Sequence, residues 1–185
     1  MNYSNIDFMS IVDGEGCRVS LFVSGCRNHC KGCFNPETWD FNYGKPFTQV
    51  EINEIIEALK KPYIAGLTIL GGEPFEEENQ QAIWQLLIDL YASGVMKENK
   101  NIWMFTGYIY DKDLLPGQRK NIPHITDTIL MEIDTLVDGP FIQEQRDLNL
   151  KFRGSSNQRI LTRQDRTYLK DVSDLVRIYG DKRPN

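Results

Sequence analysis

Four short apolar runs stand out along the chain, and each is followed by a polar or glycine-containing loop. Runs of this length, bounded by turn residues, are typical of buried β-strands rather than of helices. We therefore predict strands over Arg18–Ser24, Ile64–Leu70, Asn101–Thr106 and Asp134–Val137.

Segments with apolar residues at helical spacing lie between these runs. Thr48 and Glu51 form the Thr-x-x-Glu pattern of a capping box, which starts a helix by satisfying its first N–H groups. The apolar faces of this helix and of a second one, whose first turn carries Glu76–Glu78, consist of Ile52, Ile55, Ile56 and Leu59, and of Ile83, Leu86, Leu87 and Leu90. A third helix is predicted over Ile125–Ile133. This alternation of strands and helices indicates an α/β fold with a parallel sheet.

Each predicted strand runs into an unusual loop. A cysteine cluster follows the first strand, and the next three are followed by "GGEP" at Gly71–Pro74, "TGY" at Thr106–Tyr108 and "DGP" at Asp138–Pro140. In parallel α/β folds, ligands bind at the carboxyl ends of the strands. We therefore expect the four loops to converge on one site.

Length and composition restrict the class of protein. The 185 residues suit one domain, which we place at residues 1–158, followed by a basic extension at 159–185 that is not a separate domain. The net charge of −5 argues against nucleic acid as a partner. The sequence resembles neither a signal peptide nor a membrane span, so we expect no membrane partner and a cytoplasmic protein with reduced thiols.

The cysteine cluster points to a metal. Cys26, Cys30 and Cys33 lie within eight residues, and Cys17 lies outside the cluster, where we expect a small apolar side chain. Structural zinc takes four ligands, and His29, the one nearby candidate, is adjacent to Cys30, so that the two side chains would diverge. A four-iron cluster held by three cysteines keeps one iron open to a small molecule. The open-iron cluster is the favoured interpretation, with zinc as the alternative.

The spacing C-x3-C-x2-C resembles the signature of the radical S-adenosylmethionine superfamily. In that superfamily the open iron binds S-adenosylmethionine, and one electron from the cluster releases a 5′-deoxyadenosyl radical that removes a hydrogen atom from the substrate. The resemblance implies a 4Fe-4S cluster held by Cys26, Cys30 and Cys33, with S-adenosylmethionine as cofactor. It also implies that Gly32, Cys33 and Phe34 lie at the cofactor, with Phe34 near its adenine, and that no catalytic residue is needed beyond these cluster and cofactor ligands.

"GGEP" resembles the Gly-Gly-Glu motif of the same superfamily, whose backbone contacts the amino group of the cofactor. Gly71 and Gly72 let the chain approach a ligand closely, and Glu73 offers a carboxylate to an ammonium group. Taken alone, the motif would be a turn. The strand before it and the cysteine motif upstream favour the cofactor interpretation.

Three polar residues complete the predicted cofactor site. They are Thr106 in "TGY", Asp138 at the end of the fourth strand, and Asn157 in "RGSSNQR" at Arg153–Arg159. The alternatives are that "TGY" is an ordinary turn and that "RGSSNQR" is a capped surface turn.

Four stretches resemble one family within the superfamily, the activating proteins of anaerobic ribonucleoside-triphosphate reductases. They are "DGEGCRVSLFVSGCRNHCKGCFNPETWDF", "IWMFTGY", "LVDGPF" and "RGSSNQR", and the similarity covers roughly residues 1–160 in order. The family often has proline at Glu15, aspartate at Glu73 and tyrosine at Phe34, and none of these departures removes a ligand. Such proteins generate a glycyl radical on the reductase by removing a hydrogen atom from one glycine.

The resemblance also implies the architecture and the partners. A complete (β/α)₈ barrel rarely fits below about 200 residues, and the family has an incomplete, open parallel barrel of the radical S-adenosylmethionine type that admits a peptide loop of another protein. The implied partners are the large subunit of the reductase and a low-potential electron donor such as flavodoxin. Two alternatives stay open: an activator of another glycyl radical enzyme such as formate acetyltransferase, and a non-enzymatic metal-binding or electron-carrier module.

Overall fold

A mixed sheet of seven strands organises the protein, whose computed structural model describes residues 1–97 and 99–166. The strands are β1 (Asn2–Ser10), β2 (Cys17–Val23), β3 (Lys45–Pro46), β4 (Ile64–Gly71), β5 (Asn101–Phe105), β6 (Thr135–Asp138) and β7 (Arg159–Thr162). The helices are α1 (Gln49–Leu59), α2 (Glu77–Ala92) and α3 (Ile125–Glu132), and single helical turns cover Pro36–Trp39, Val95–Lys97, Tyr110–Leu114 and Gln143–Gln145.

The centre of the sheet is parallel. Strands β2, β4, β5 and β6 are neighbours in that order, and the chain passes through α1, α2 and α3 between them. These are the four strands and three helices predicted from the sequence. The capping box is confirmed as well, because the Val50 N–H donates to Thr48 Oγ1 at 3.2 Å and the Thr48 N–H donates to Glu51 Oε2 at 2.7 Å.

Antiparallel strands at both edges were not predicted. On one side β1 pairs with β2 and β3 pairs with β1, and on the other side β7 pairs with β6. These strands are short or half exposed, so they lack the continuous apolar runs by which the central strands were recognised. Residues 159–162, which the sequence analysis assigned to the basic extension, form β7 of this sheet. Residues 167–185 of the predicted extension lie outside the described residues.

Among the described residues the sheet is open, and its two faces differ. The apolar faces of all three helices pack into one core with side chains from the four parallel strands: Val19, Leu21, Val23, Ile64, Leu67, Ile69, Ile102, Met104 and Leu136. Alternation along a strand directs the remaining side chains to the opposite face, which we call the second face. It includes Arg18, Ser20 and Phe22 of β2, Thr68 and Leu70 of β4, and Trp103 and Phe105 of β5. In the described part of the chain, no helix is long and apolar enough to cross a membrane.

Candidate functional site

The four predicted loops meet at the carboxyl edge of the parallel strands. The Gly72 N–H donates to the Val23 carbonyl at 2.7 Å, and the Glu73 N–H donates to the Gly25 carbonyl at 2.8 Å. The Gly139 N–H likewise donates to the Tyr108 carbonyl at 2.9 Å. These backbone contacts join the cysteine loop to "GGEP" and join "TGY" to "DGP", as the order of the strands predicts.

The cysteine loop carries free thiols. Cys26 is buried, Cys30 and Cys33 are half-buried, and Cys17 lies at the opposite end of β2. Among the described residues, no group of three or more His, Cys, Asp and Glu side chains is arranged to hold a metal ion. Three cysteines are one ligand short of a structural zinc site, whereas a four-iron cluster can be held by three cysteines with one iron left open.

Burial favours the protonated thiol at Cys26 and Cys30. It raises the pKa of Cys26 to about 12, and it also raises the pKa of Cys30. Only the thiolate is a metal ligand, so metal binding here has to release protons.

The His29 side chain packs against an aromatic ring instead of joining the thiols. Its ring stacks on Trp39, with ring centroids 4.6 Å apart and an angle of 23° between the planes. The side chain is exposed, and its backbone has a φ of 45°. The stacking gives the histidine a packing partner outside the thiol group, which weakens the zinc alternative.

Glycine is required at two places in the site. Gly32 has a φ of +72°, and a Cβ there would come within 2.7 Å of Gln143 Oε1. At Gly72 a Cβ would come within 2.7 Å of the Gly25 carbonyl oxygen and 3.0 Å of the Thr38 carbonyl oxygen. A larger residue at Gly72 would therefore push the loop that contains it away from the cysteine loop, whereas at Gly32 it is the left-handed backbone conformation that disfavours a larger residue.

Glu73 ties three of the loops together. Its buried carboxylate accepts hydrogen bonds from Thr106 Oγ1 and the Gly107 N–H, both at 2.7 Å, and from Asn28 Nδ2 at 3.2 Å. The Phe75 N–H donates to it as well, at 3.0 Å. Burial raises the pKa of Glu73 to about 7 although these donors act in the opposite direction. The carboxylate thus holds the loops in place, and its contact with the ammonium group of a cofactor stays a prediction.

Sequence reasoning missed the role of Glu76, which it placed only in the first turn of a helix. The buried Glu76 carboxylate accepts hydrogen bonds from the Arg27 N–H at 3.0 Å, Tyr108 Oη at 2.8 Å and Lys120 Nζ at 2.8 Å. Burial alone would raise the pKa of Glu76, but the hydrogen bonds from Lys120, Tyr108 and Arg27 outweigh it and hold that pKa below its ordinary value.

Glu76 therefore anchors the backbone next to Cys26 to the rest of the protein. Its side chain makes no capping hydrogen bond at the start of α2, where an acidic residue is usually explained by the helix dipole. One weak indication of this role was visible in the sequence. Glu76 is an additional acidic residue before a helix whose first turn already contains Glu77 and Glu78.

The remaining predicted residues support the loops. Thr106 Oγ1 donates to Glu73 and accepts from the Tyr108 N–H at 3.0 Å. Asp138 is buried, and it accepts hydrogen bonds from the Tyr110 N–H at 2.8 Å and from Arg159 Nε at 2.9 Å. The carboxylate of this predicted site residue is thus paired with Arg159.

The "RGSSNQR" segment forms a turn that braces "DGP". Asn157 Nδ2 donates to the Pro140 carbonyl at 2.8 Å, and Gln158 Nε2 donates to the Gly139 carbonyl at 3.0 Å. Asn157 Oδ1 is buried and has no hydrogen-bond partner among the described residues. In contrast, the side chain of Phe34 next to Cys33 is 93% exposed.

Comparisons with known proteins agree with this site. A family model for a 4Fe-4S single cluster domain matches residues 12–161. The anaerobic ribonucleoside-triphosphate reductase-activating protein of Haemophilus influenzae is 40% identical over 162 residues, which cover 85% of this chain and 96% of that protein. The protein of the same name from Vibrio cholerae is 41% identical over 160 residues, with coverage of 85% and 96%. The one from Enterobacteria phage T4 is 35% identical over 173 residues, with coverage of 92% and 100%.

These similarities extend over nearly all of the relatives' length and include all four loops of the site. They confirm the resemblance seen in the sequence and the expectation of a 4Fe-4S cluster. The chain belongs to the family of anaerobic ribonucleoside-triphosphate reductase-activating proteins.

Proposed function

We propose that this chain activates an anaerobic ribonucleoside-triphosphate reductase by generating a glycyl radical on it. The observation that carries the proposal is the similarity, over 85% of this chain, to relatives named as activators of that reductase. The three free thiols at the edge where the four loops meet give the proposal its chemistry.

Cys26, Cys30 and Cys33 would hold a 4Fe-4S cluster, and the open iron would bind S-adenosylmethionine. When bound, these groups supply a 5′-deoxyadenosyl radical, which removes a hydrogen atom from the substrate glycine. The chain itself contributes binding and orientation. Glu76 holds the backbone beside Cys26, and Glu73 fixes the cysteine loop against the loops after β4 and β5.

The proposed cofactor contacts follow the four loops. The exposed ring of Phe34 is free to cover the adenine, and the backbone of Gly32 and Cys33 lies beside it. Gly71 and Gly72 would offer their backbone to the amino group of the cofactor. Glu73, Thr106, Asp138 and Asn157 would shape the pocket, and the side-chain carbonyl oxygen of Asn157 has no hydrogen-bond partner within residues 1–97 and 99–166.

The setting of the reaction is part of the same proposal. Four parallel strands in a sheet that does not close on itself among the described residues support an incomplete barrel of the radical S-adenosylmethionine type, whose open side would admit a loop of the reductase. We propose that a low-potential donor such as flavodoxin supplies the electron and that the reaction takes place in the cytoplasm.

The test combines the reduced chain, S-adenosylmethionine and an anaerobic ribonucleotide reductase in the absence of oxygen. Electron paramagnetic resonance should show a doublet that collapses to a singlet when the substrate glycine carries deuterium at Cα. Cys30→Ala should abolish both the iron–sulfur absorbance and the doublet. Cys17→Ala is the matched control and should retain both, because Cys17 lies at the other end of β2.

Two outcomes would contradict the proposal. A doublet on formate acetyltransferase with none on the reductase would support the proposed radical chemistry but reject the reductase as the substrate. Iron–sulfur assembly without formation of 5′-deoxyadenosine would favour an electron carrier.

A further inference from the structure

Two side chains of opposite charge are buried together beside the cysteine loop. The Glu76 side chain is fully buried, the Lys120 side chain is 15% exposed, and Lys120 Nζ lies 2.8 Å from Glu76 Oε2. Arg27 also pairs with Glu76 at 2.8 Å, but its side chain is 52% exposed. Water and salt screen the charges of Glu76 and Lys120 much less than they screen charges on the surface.

The hydrogen bonds of Glu76 hold the turn that follows Cys26. Glu76 Oε1 accepts from the Arg27 N–H at 3.0 Å. The next two N–H groups along the chain, those of Asn28 and His29, donate to the Cys26 sulfur. The carboxylate therefore grips the backbone directly before the groups that bond the sulfur.

Tyr108 lies close to both the carboxylate and the sulfur. Its Oη donates to Glu76 Oε1 at 2.8 Å. Burial and this hydrogen bond raise the pKa of Tyr108, and negative charge at Glu76 and at Cys26 is among the causes that raise it further. The charge of Glu76 thus acts in the same small region as the Cys26 sulfur.

Charge in this region matters for an iron–sulfur cluster because reduction of the cluster adds one negative charge. A protein sets the reduction potential through net charge, hydrogen bonds to the sulfurs and solvent exposure. A nearby buried carboxylate disfavours the added electron, whereas a nearby buried ammonium group favours it. Glu76 and Lys120 should therefore act on the potential in opposite directions.

We propose that Glu76 and Lys120 form a buried charge pair that sets the reduction potential of the cluster. Glu76 makes the potential more negative, and Lys120 offsets part of this effect. The step concerned is the transfer of one electron from the low-potential donor to the cluster, without a proton and without breaking a bond. This inference rests on the three-cysteine ligand set of the proposed function and is independent of which protein is the substrate.

The experiment is a redox titration of the reconstituted full chain without S-adenosylmethionine, followed by electron paramagnetic resonance. Glu76→Gln removes the negative charge and keeps the shape of the side chain, so the potential should rise. Lys120→Met removes the positive charge, so the potential should fall. Each equilibrium constant for reduction should change about tenfold, which is about 59 mV for a one-electron couple. Iron and sulfide contents of each variant establish that the cluster is present.

Two control variants separate charge from structure. Lys120→Arg keeps the charge and should have the wild-type potential. Glu78→Gln removes a carboxylate that binds the same Arg27 but is 47% exposed, so the equilibrium constant should change about twofold or less. A purely structural role of Glu76 predicts the opposite sign for Glu76→Gln, because a looser turn would weaken the hydrogen bonds to the Cys26 sulfur and make the potential more negative.

Equal potentials in wild type, Glu76→Gln and Lys120→Met would overturn the proposal, as would shifts of the same sign in the two variants. If Glu76→Gln holds no cluster, Lys120→Met decides, and a potential at or above that of wild type overturns the proposal. Loss of the cluster in both variants would assign the pair a structural role and overturn it as well. Failure of the proposed function is recognised separately, because the wild-type mixture would lack the glycyl radical doublet or Cys30→Ala would retain the cluster.

Discussion

At the scale of single residues, the site depends on two buried carboxylates that lie three positions apart and behave in opposite ways. Burial raises the pKa of Glu73 to about 7, whereas cationic and hydroxyl donors hold the pKa of Glu76 below its ordinary value. Glu76 forms ion pairs with Arg27 and Lys120, both at 2.8 Å, while the donors to Glu73 are neutral. The difference between a neutral and a charged set of donors decides which carboxyl group ionises easily.

Glu73→Gln tests the raised pKa in the metal-free protein. Because the folded pKa of about 7 lies above the value of 4.5 for a free side chain, Glu73 stabilises the fold most below pH 4.5. That contribution should decline as the pH rises to about 7 and then stay constant, a change on the order of 3 kcal/mol. Gln does not titrate, so the stability of wild type relative to the variant should decrease over this range in urea unfolding under reducing conditions.

Taking the difference between the two proteins removes the titration of the cysteines, which both share. A relative stability of wild type that increases with pH would show that the folded pKa of Glu73 is lowered.

The residues that the sequence identified and those that it missed differ in a physical way. Cys26, Cys30 and Cys33 could be found because their spacing along the chain is itself the property that binds the cluster. The role of Glu76 depends on Lys120 and Tyr108, which reach it only after the chain has folded. Contacts between residues so far apart leave no periodic pattern in the sequence.

At the scale of elements, the same distinction separates the central strands from the edge strands. A strand buried on both faces needs a continuous apolar run, so β2, β4, β5 and β6 were predictable. Strand β7 begins with the exposed Arg159 and has only four residues, so its assignment depends on its pairing with β6. Helix α1 is the clearest example of an element that is determined locally, because the side chains of Thr48 and Glu51 alone fix where it starts.

Thr48→Ala tests whether the capping box stabilises the start of α1. The substitution removes the acceptor for the Val50 N–H and the partner of Glu51, so the free energy of unfolding should fall by about 1 kcal/mol. Thr48→Ser retains the oxygen and should stay within a few tenths of wild type. Chemical denaturation of the reduced protein measures both. Equal losses in the two variants would assign the effect to the methyl group instead of the cap.

At the scale of the whole molecule, β7 and residues 163–166 complete one edge of the described structure. Arg159 pairs with the buried Asp138, and the buried Arg166 donates to the Leu130 carbonyl at 2.7 Å and the Ile133 carbonyl at the end of α3 at 2.5 Å. Burial lowers the pKa of Arg166 to about 10, and its guanidinium satisfies carbonyls that the helix leaves unpaired. These contacts make residues 159–166 part of the fold.

Two truncated chains test this assignment against the boundary predicted from the sequence. A chain ending at residue 158 loses β7, leaves the Asp138 charge buried without its arginine, and uncovers the end of α3. A chain ending at residue 166 keeps all of these contacts and lacks the same residues 167–185, so it is the matched control. Because a buried charge without its partner alone costs about 3–5 kcal/mol, the shorter chain should unfold at a much lower urea concentration or fail to fold. Equal unfolding midpoints would mean that β7 only lies against a sheet that is already stable.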